Sequence, residues 1–182
     1  GTCRYDNIIQ VDTDNEGAAE KMTTLLIGKG FRRFAFLVKD MSYNVDRKRH
    51  EGFCRALIKN GISEKDQLFY NGSIRMEFLD AIIENIISKK VECIICGDDE
   101  ICTMVMSRLQ AEGYRIPKDV AIASLYNSTN LDCYSPAVTA VSVAASQMGG
   151  TAVRLLIQRL RGENYEKKTM LDYDILFRKS TN

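Results

Sequence analysis

Short apolar runs alternate along the chain with longer segments in which apolar residues recur every three or four positions. The short runs have the length of buried strands, and the longer segments have the period of amphipathic helices. An alternation of this kind is typical of a parallel sheet with helices on its faces. The predicted strands are IIQV at 8–11, FAFLV at 34–38, QLFY at 67–70, VECIIC at 91–96, VAIASL at 120–125 and VTAV at 138–141.

Polar caps and glycines mark where the intervening helices begin and end. The run Thr13-Asp14-Asn15-Glu16 has the form of a capping box and predicts a helix that continues to Gly30. The tail at 171–178 alternates as an edge strand does, and the polar segment 126–136 is the candidate linker. The predicted fold class is therefore α/β, a parallel-sheet three-layer sandwich. The remaining helices are predicted over 46–60, after a cap at Ser73, between Glu100 and Gly113, and over 145–161.

Composition narrows the class of protein. The 182 residues are 45% hydrophobic and 27% charged, as in one soluble globular domain. A net charge of +1 supplies no overall field that would attract a nucleic-acid backbone or an anionic membrane. No apolar stretch approaches the ~20 residues that cross a bilayer, and the first residues lack the pattern of a signal peptide. We therefore expect a cytoplasmic protein with no membrane partner.

The six cysteines are scattered through apolar patterns, which favours reduced and largely buried thiols over a disulfide framework. Cys93 and Cys96 have the spacing of metal ligands. Residues three apart in a strand face opposite sides of the sheet, however, so they cannot bind one ion together. Because His50 is the only histidine, a mixed-ligand zinc site and a histidine-based triad are both poorly supplied. We expect no metal, no cofactor and no catalytic residue.

Five phrases stand in a definite order along nearly the whole chain. They are VDTDNEGAAEKMTTLLIGKGFRRFAFLV, RKRHEGFCRALIKNG, CIICGDDEICTMVMSRLQAEGYRIPKDVAIASLYN, CYSPAVTAVSVAASQMGGTAVRLLIQRLRG and LFRKST. In this order they resemble the effector-binding domain of the lac repressor family of bacterial transcription regulators, a relative of the periplasmic sugar-binding proteins. The resemblance implies two α/β lobes around a ligand cleft, a small-molecule effector and a homodimer. It also implies that DNA is bound only through an N-terminal domain that has no counterpart in this chain.

The resemblance divides the chain into three parts. Residues 1–136 correspond to the C-terminal lobe of the effector-binding domain, and 137–164 to a strand and helix that cross into the N-terminal lobe. Residues 165–182 correspond to a tail strand. Most of the first lobe has no counterpart before Gly1, so the crossing helix lacks its usual partners.

One face of that helix carries Met148, Leu155 and Leu156. A large apolar patch is rarely left open on a soluble protein. We expect this face to be covered by a second copy of the chain or to fold back on the chain itself.

Ligands of open parallel sheets collect beyond the carboxyl ends of the strands. The loop that follows FAFLV contains Ser42 and Tyr43, whose hydroxyls suit a polyhydroxylated ligand, and the resemblance places effector contacts in this loop. Arg49, three residues before Gly52, matches the family's effector-contacting arginine. Its planar guanidinium can bridge two hydroxyls or a carboxylate.

An alternative for Arg49 is a solvated basic turn, or ion pairing with Asp46 and Glu51. We prefer the solvated role for the neighbouring basic residues Arg47, Lys48 and His50.

Two further segments contribute to the predicted effector site. Asp98 takes the family's ligand-contacting position after the strand VECIIC, and Asp99 matches an acid that we expect to cap the next helix. The third segment reads Ser124-Leu125-Tyr126-Asn127, so that Tyr126 replaces the family's effector-binding aspartate. A phenol cannot accept two sugar hydroxyls as a carboxylate does, and Val143 also replaces a position that is often polar. These departures leave several alternatives for the effector: it is sugar-like, or it is more apolar, or it carries an aromatic or acidic group. In the last alternative, effector binding has been lost.

The loop that carries Cys133 and Tyr134 resembles the family's subunit-contact region, and we assign both residues to a dimer interface. A regulator that reads a two-fold operator requires a two-fold protein. The alternative is a plain turn set by Pro136.

Two other functions compete with an effector-sensing module. A solute-binding protein of a transport system has a similar fold, but the free cysteines and the missing secretory signal disfavour it. The paired acids Asp98 and Asp99 could instead hold magnesium, as in receiver or phosphoryl-transfer domains, with Asp40 as the nearby third acid.

Overall fold

The computed structural model describes residues 7–72 and 76–182, so the predicted cap at Ser73 lies outside the described residues. Two short 3₁₀ helices, Glu64–Asp66 and Lys179–Thr181, accompany the main elements. The elements are β1 (Gln10–Thr13), α1 (Asn15–Gly28), β2 (Phe34–Val38), α2 (Asn44–Lys59), β3 (Leu68–Asn71), α3 (Met76–Ser88), β4 (Cys93–Cys96), α4 (Asp99–Ala111), β5 (Ala121–Ser124), α5 (Thr129–Cys133), β6 (Thr139–Val143), α6 (Ala145–Leu160), β7 (Lys168–Leu171) and β8 (Tyr173–Leu176).

Six strands form the main sheet in the order β3-β2-β4-β5-β6-β8. The first five are parallel, and β8 pairs with β6 in the antiparallel direction at the edge. The tail strand predicted at 171–178 is confirmed in β8. A second, two-stranded sheet pairs β1 with β7 in parallel.

The strands of the main sheet alternate their side chains between two cores, which confirms the predicted three-layer sandwich. Ala35 and Leu37 of β2 face the core shared with α3 and α4, whereas Phe34 and Phe36 face the core shared with α1 and α2. Strands covered on both faces are expected to be apolar at every position, as FAFLV is.

The same alternation separates Cys93 from Cys96. Cys93 lies in the core shared with α1 and α2, and Cys96 lies in the core shared with α3 and α4. The two thiols cannot bind one ion together, as their spacing on a strand predicts.

Helices α1 and α2 pack closely because Gly52 leaves room for the α1 backbone. A Cβ atom at this position would lie 2.1 Å from the carbonyl oxygen of Glu16, which is inside van der Waals contact. Ion pairs flank the contact, with Lys48 at 2.8 Å from Glu16 and Lys59 at 2.6 Å from Glu20. This packing places the first turns of α2 against the sheet.

The C-terminal segment ties the edge strands together through buried hydroxyls. The Ser180 hydroxyl donates to the carbonyl oxygen of Ile122 at 2.6 Å and accepts from the backbone N–H of Thr139 at 2.9 Å. The hydroxyls of Thr139 and Thr181 lie 2.7 Å apart. The phrase LFRKST therefore closes the β5 and β6 side of the sheet.

Three local predictions need correction. The N-cap of α1 is Asp14, whose carboxylate accepts from the N–H of Gly17 at 2.9 Å, rather than Thr13 of a capping box. The predicted linker 126–136 contains the helix α5. Strand β7 was not predicted, because its exposed and half-buried residues alternate only weakly in hydrophobicity.

The predicted division of the chain into three parts stays a prediction, and the structure adds how β6 is paired. This strand, assigned to the crossing segment 137–164, pairs with both β5 and β8 and so belongs to the main sheet. Val138, Thr139 and Ala140 are buried there and would be exposed if the strand left the sheet. Strand β1, assigned to 1–136, pairs instead with β7 of the tail 165–182. Within the segment 137–164, helix α6 lies outside the main sheet, and it packs against β1.

The apolar face of α6 folds back only in part. Leu155 is 2% exposed, but Leu156 is 49% exposed and Leu160 is 77% exposed.

Among the described residues, no helix has the length and hydropathy needed to cross a membrane.

Candidate functional site

Arg49 lies on α2 at the carboxyl ends of the central strands. It is buried, and its Nη1 atom donates a hydrogen bond to the carbonyl oxygen of Gly97 at 2.7 Å. Gly97 directly follows β4, so this bond joins α2 to the end of a central strand. A buried guanidinium at this edge of the sheet is well placed for ligand recognition.

Three carboxylates and a phenol surround Arg49. Burial lowers the pKa of Arg49, while the nearby Asp46, Asp98 and Asp12 and the phenol of Tyr126 act in the opposite direction. Two of these residues, Asp98 and Tyr126, were predicted from the sequence as site residues. The structure places both near Arg49, whose own side chain is buried, and their role in ligand binding stays a prediction.

Asp46 is a residue that the sequence reasoning mentioned only as an alternative ion-pair partner. It is buried, and its Oδ2 atom accepts a hydrogen bond from the backbone N–H of Asp40 at 3.0 Å. Asp46 thus contributes charge beside Arg49 and also holds the loop after β2. Its position three residues before Arg49 on one helix was the available signal.

Glu51, the other residue considered as an ion-pair partner of Arg49, pairs with a different basic residue. Its carboxylate pairs with Lys48 at 2.7 Å, and Lys48 also pairs with Glu16. Arg47 donates to Asn44 Oδ1 at 2.8 Å.

The loop after β2 places Ser42 and Tyr43 at the surface. The N–H of Ser42 donates to Asp40 Oδ1 at 2.7 Å, and this bond lowers the pKa of the Asp40 carboxyl. Tyr43 is 59% exposed and precedes the first residue of α2. Its side chain lines a cavity of about 510 Å³, together with Lys39, Asp40, Asn71, Gly72, Glu100, Ile101 and Met104.

Asp98 is the N-cap of α4, a role that the sequence reasoning gave to Asp99. Its Oδ1 atom accepts from the N–H of Ile101 at 2.9 Å, and its Oδ2 atom lies 2.9 Å from Lys39 Nζ. Hydrogen bonds to Glu100 and Asp98 raise the pKa of Lys39. The correction has a simple cause, because the helix begins one residue earlier than expected, at Asp99.

Tyr126 lies at the opposite side of the sheet edge from Tyr43. It lines a second cavity of about 430 Å³ between β1, the end of β6 and α6. Most of this lining is apolar, in agreement with the departures from the family pattern at Tyr126 and Val143. The other lining residues are Ile9, Val11, Ala145, Met148, Gly149 and Ala152.

The arrangement divides the predicted site into a centre, in which Arg49 is buried and Asp98 is partly exposed, and two flanks. Arg49 and Asp98 form the centre, Tyr43 lines a polar cavity on one flank, and Tyr126 lines an apolar cavity on the other. Ser42 is exposed and is not in the lining of either cavity. Lys39 and Asn71 are polar residues of the first flank that the sequence reasoning did not select, because the register between β2 and β3 was needed to bring them together.

The two residues assigned to a dimer interface differ in exposure. Cys133 is exposed as a free thiol, whereas Tyr134 is half-buried against the core of α3 and α4. The phenol of Tyr134 lies 3.2 Å from the hydroxyl of Ser107 on α4. Their role between subunits stays a prediction.

The position of Lys39 argues against a magnesium site at the paired acids Asp98 and Asp99. Its ammonium group neutralises Asp98 at the position where a divalent ion would have to bind. Within residues 7–72 and 76–182, the acids Asp98 and Asp99 do not group with a third metal ligand. The donor geometry that the magnesium alternative requires is therefore not formed by the described side chains.

A comparison with known families agrees with this architecture. Residues 23–181 match the periplasmic binding protein-like domain. The chain belongs to this family. The proteins to which the chain is similar are bacterial transcription regulators of the lac repressor family, as the order of the sequence phrases indicated.

A curated relative and two solved structures show the extent of the similarity. The HTH-type transcriptional regulator RegA of Clostridium saccharobutylicum is 29% identical over 175 residues, which are 94% of this chain and 53% of RegA. A LacI family regulator from Silicibacter pomeroyi is 26% identical with a TM-score of 0.85, and the match covers 99% of this chain and 67% of that protein. The regulator CelR in complex with cellobiose is 27% identical with a TM-score of 0.84, covering 96% of this chain and 54% of CelR.

The chain spans about half the length of the curated relatives that it matches. These relatives are regulators rather than enzymes or transport proteins, so they do not favour the solute-binding or phosphoryl-transfer alternatives.

Proposed function

We propose that this chain is the effector-sensing part of a bacterial transcription regulator and binds a small metabolite at the sheet edge around Arg49. The observation that carries the proposal is the buried guanidinium of Arg49, held by the carbonyl oxygen of Gly97 and faced by carboxylates. A buried and anchored arginine of this kind is preorganised, so little conformational entropy is lost when it binds a ligand.

The two flanks suggest a ligand with unlike ends. Lys39, Asp40 and Asn71 line the first cavity and can bind hydroxyl or acidic groups. Tyr126, Val143 and Met148 line the second cavity and favour an apolar or aromatic group. The solved complex of CelR with cellobiose supports a sugar-like ligand class, modified here by the tyrosine.

The regulatory role follows from coupling between binding and conformation. A ligand that contacts Arg49, Asp98 and Tyr126 joins α2, α4 and the end of β5, and it would favour whichever arrangement of the protein brings these elements closest. We assign DNA recognition to a part of the regulator other than this chain, whose net charge is +1, and place the protein in the cytoplasm. A homodimer through Cys133 and Tyr134 completes the proposal, and no catalytic step is part of it.

The test is a thermal-shift screen of the purified chain with cellobiose, other mono- and disaccharides, sugar phosphates and small organic acids. A ligand at a hundred times its Kd stabilises the folded state by about 2.7 kcal/mol. We expect one of these classes to raise the Tm, and Arg49→Ala to abolish that rise. Tyr126→Asp is expected to shift the preference toward sugars with adjacent hydroxyls.

Arg115→Ala is the matched control, because Arg115 is an exposed arginine that pairs with Asp119 away from the site. This variant should keep the full ligand-induced rise in Tm. Because Arg49→Ala also removes a buried charge, the comparison is between the ligand-bound and ligand-free Tm of each variant. A rise as large in Arg49→Ala as in the parent chain would contradict the site assignment.

A further inference from the structure

A second cluster of chemically active side chains lies on α2 and on the 3₁₀ helix that follows it. His50 and Cys54 come from α2, and Glu64 begins the 3₁₀ helix. One ligand atom from each of the three residues lies within 4.8 Å of the other two. Among residues 7–72 and 76–182, these three form the one group of three or more possible metal ligands whose donor atoms lie close together.

The spacing of the donors matches the requirements of a tetrahedral ion. Cys54 Sγ lies 3.5 Å from His50 Nε2. Metal–ligand bonds of about 2.0 Å to nitrogen and about 2.3 Å to sulfur place two tetrahedral ligands about 3.5 Å apart. The pair is four residues apart on a helix, so both side chains lie on the same face one turn from each other.

The imidazole is already oriented by its neighbours. The ring of His50 lies 4.3 Å from that of Phe69 and 5.8 Å from that of Phe36, measured between centroids. The histidine would therefore bind an ion with little reorganisation.

In the absence of a cation, the neutral thiol of Cys54 lies within hydrogen-bonding reach of the Glu64 carboxylate. Burial raises the pKa of Cys54 to about 12, and the neighbouring Glu64 carboxylate acts in the same direction. A divalent cation between the two groups would neutralise the carboxylate and stabilise the thiolate.

We propose that His50, Cys54 and Glu64 form a binding site for one zinc ion or a divalent ion of similar softness. Imidazole nitrogen, thiolate sulfur and carboxylate oxygen are the usual donors for zinc, and water completes the tetrahedron. On binding, the thiol of Cys54 releases its proton to solvent and no electron is transferred. The bound ion joins the second half of α2 to the segment that leads into β3.

This proposal differs from the expectation drawn from the sequence, which counted one histidine and considered only Cys93 and Cys96 as a pair. Glu64 comes from another element, and its approach to Cys54 depends on the turn after α2. The proposal does not rest on the effector-binding function, because Arg49 points to the sheet edge and His50 to the aromatic rings of Phe36 and Phe69.

The test uses the tag-free chain, reduced and freed of metal by a chelator, and titrated with Co²⁺ and then with Zn²⁺. We expect one Co²⁺ per chain, with the near-ultraviolet charge-transfer absorption of a cobalt-bound thiolate. Zn²⁺ should displace the Co²⁺ and remove this absorption. Cys54→Ser should abolish the absorption, and Glu64→Gln, which alters an exposed residue, should weaken Zn²⁺ binding by at least about tenfold.

Cys133→Ser is the matched control, because it removes an exposed thiol outside the cluster. It should bind Co²⁺ as the parent chain does. The proposal is overturned if the parent chain shows no stoichiometric binding, if Glu64→Gln binds Zn²⁺ as tightly as the parent, or if Cys133→Ser rather than Cys54→Ser loses the absorption. Circular dichroism of each variant establishes that it is folded, and Glu64→Gln keeps the test decisive if Cys54→Ser does not fold.

Discussion

The main sheet and the small unit formed by β1, β7 and α6 differ in how many of their faces are covered. All five residues of β2 are buried, because helices pack on both faces of the main sheet. In the small unit, α6 lies against β1 and its Leu155 is 2% exposed, while Leu156, Ile157 and Leu160 remain exposed on the same helix.

This contrast indicates that the main sheet supplies most of the stability of the chain. Parallel strands are normally buried on both faces, and a sheet of two strands is marginal by itself. An apolar helix face therefore adds more to the free energy of unfolding when the fold covers it, as on the main sheet, than when it stays partly exposed, as on α6. We expect the small unit to open locally at a lower free energy than the main sheet unfolds.

The largest expected effect comes from the centre of the main sheet. Phe36 is 0% exposed and its ring stacks on that of Phe53 with centroids 4.6 Å apart. Phe36→Ala should lower the free energy of unfolding by about 3–5 kcal/mol, because it leaves a cavity between closely packed elements. Denaturant unfolding measures this loss. Phe177→Ala, at a residue that is 41% exposed, is the control and should cost much less.

An intermediate effect is expected in the small unit. Leu155→Ala removes the side chain that α6 buries, and it should cost about 2 kcal/mol, the low end for a buried leucine. Hydrogen exchange should show faster opening of β1 and β7, with little change in β2 and β4. Val153→Ala, at a 58% exposed position of the same helix, serves as the control. A loss as large as that of Phe36→Ala would mean that the two regions unfold together.

The smallest effect is expected at the end of α6. Leu160 is 77% exposed, so Leu160→Lys should change the free energy of unfolding by no more than about 0.5 kcal/mol. The same denaturant experiment measures it, with Leu160→Ala as the control for loss of the leucine side chain. A clear destabilisation by lysine alone would show that this face of α6 is covered in solution.

The elements of the main sheet were predictable to within a few residues, because strands covered on both faces are written as continuous apolar runs. FAFLV became β2 with the predicted bounds, and the helix predicted over 46–60 became α2 over 44–59. The small unit was less predictable. β1 was expected two residues earlier and β7 was not expected, since one-sided burial leaves only a weak pattern.

The candidate site was predictable where one residue carries the signal. Arg49 and Asp98 were selected by their positions in family-like phrases; the structure places them near each other, and their role in ligand binding stays a prediction. The approach of Lys39 to Asp98 was missed, because the pairing of β2 with β4 brings these strand ends together. The cluster of His50, Cys54 and Glu64 was missed for the same reason, since its members are close only after the chain turns back behind α2.

The sequence alone is enough to specify the α/β class, the strands of the main sheet and the arginine at the sheet edge, because these depend on local period and on single residue types. The tertiary structure decided which strand β6 pairs with, which aspartate caps α4 and which side chains share the two cavities and the cluster on α2. These features depend on packing between segments that are distant in sequence. Contacts of that kind are set by the whole core, and no single segment encodes them.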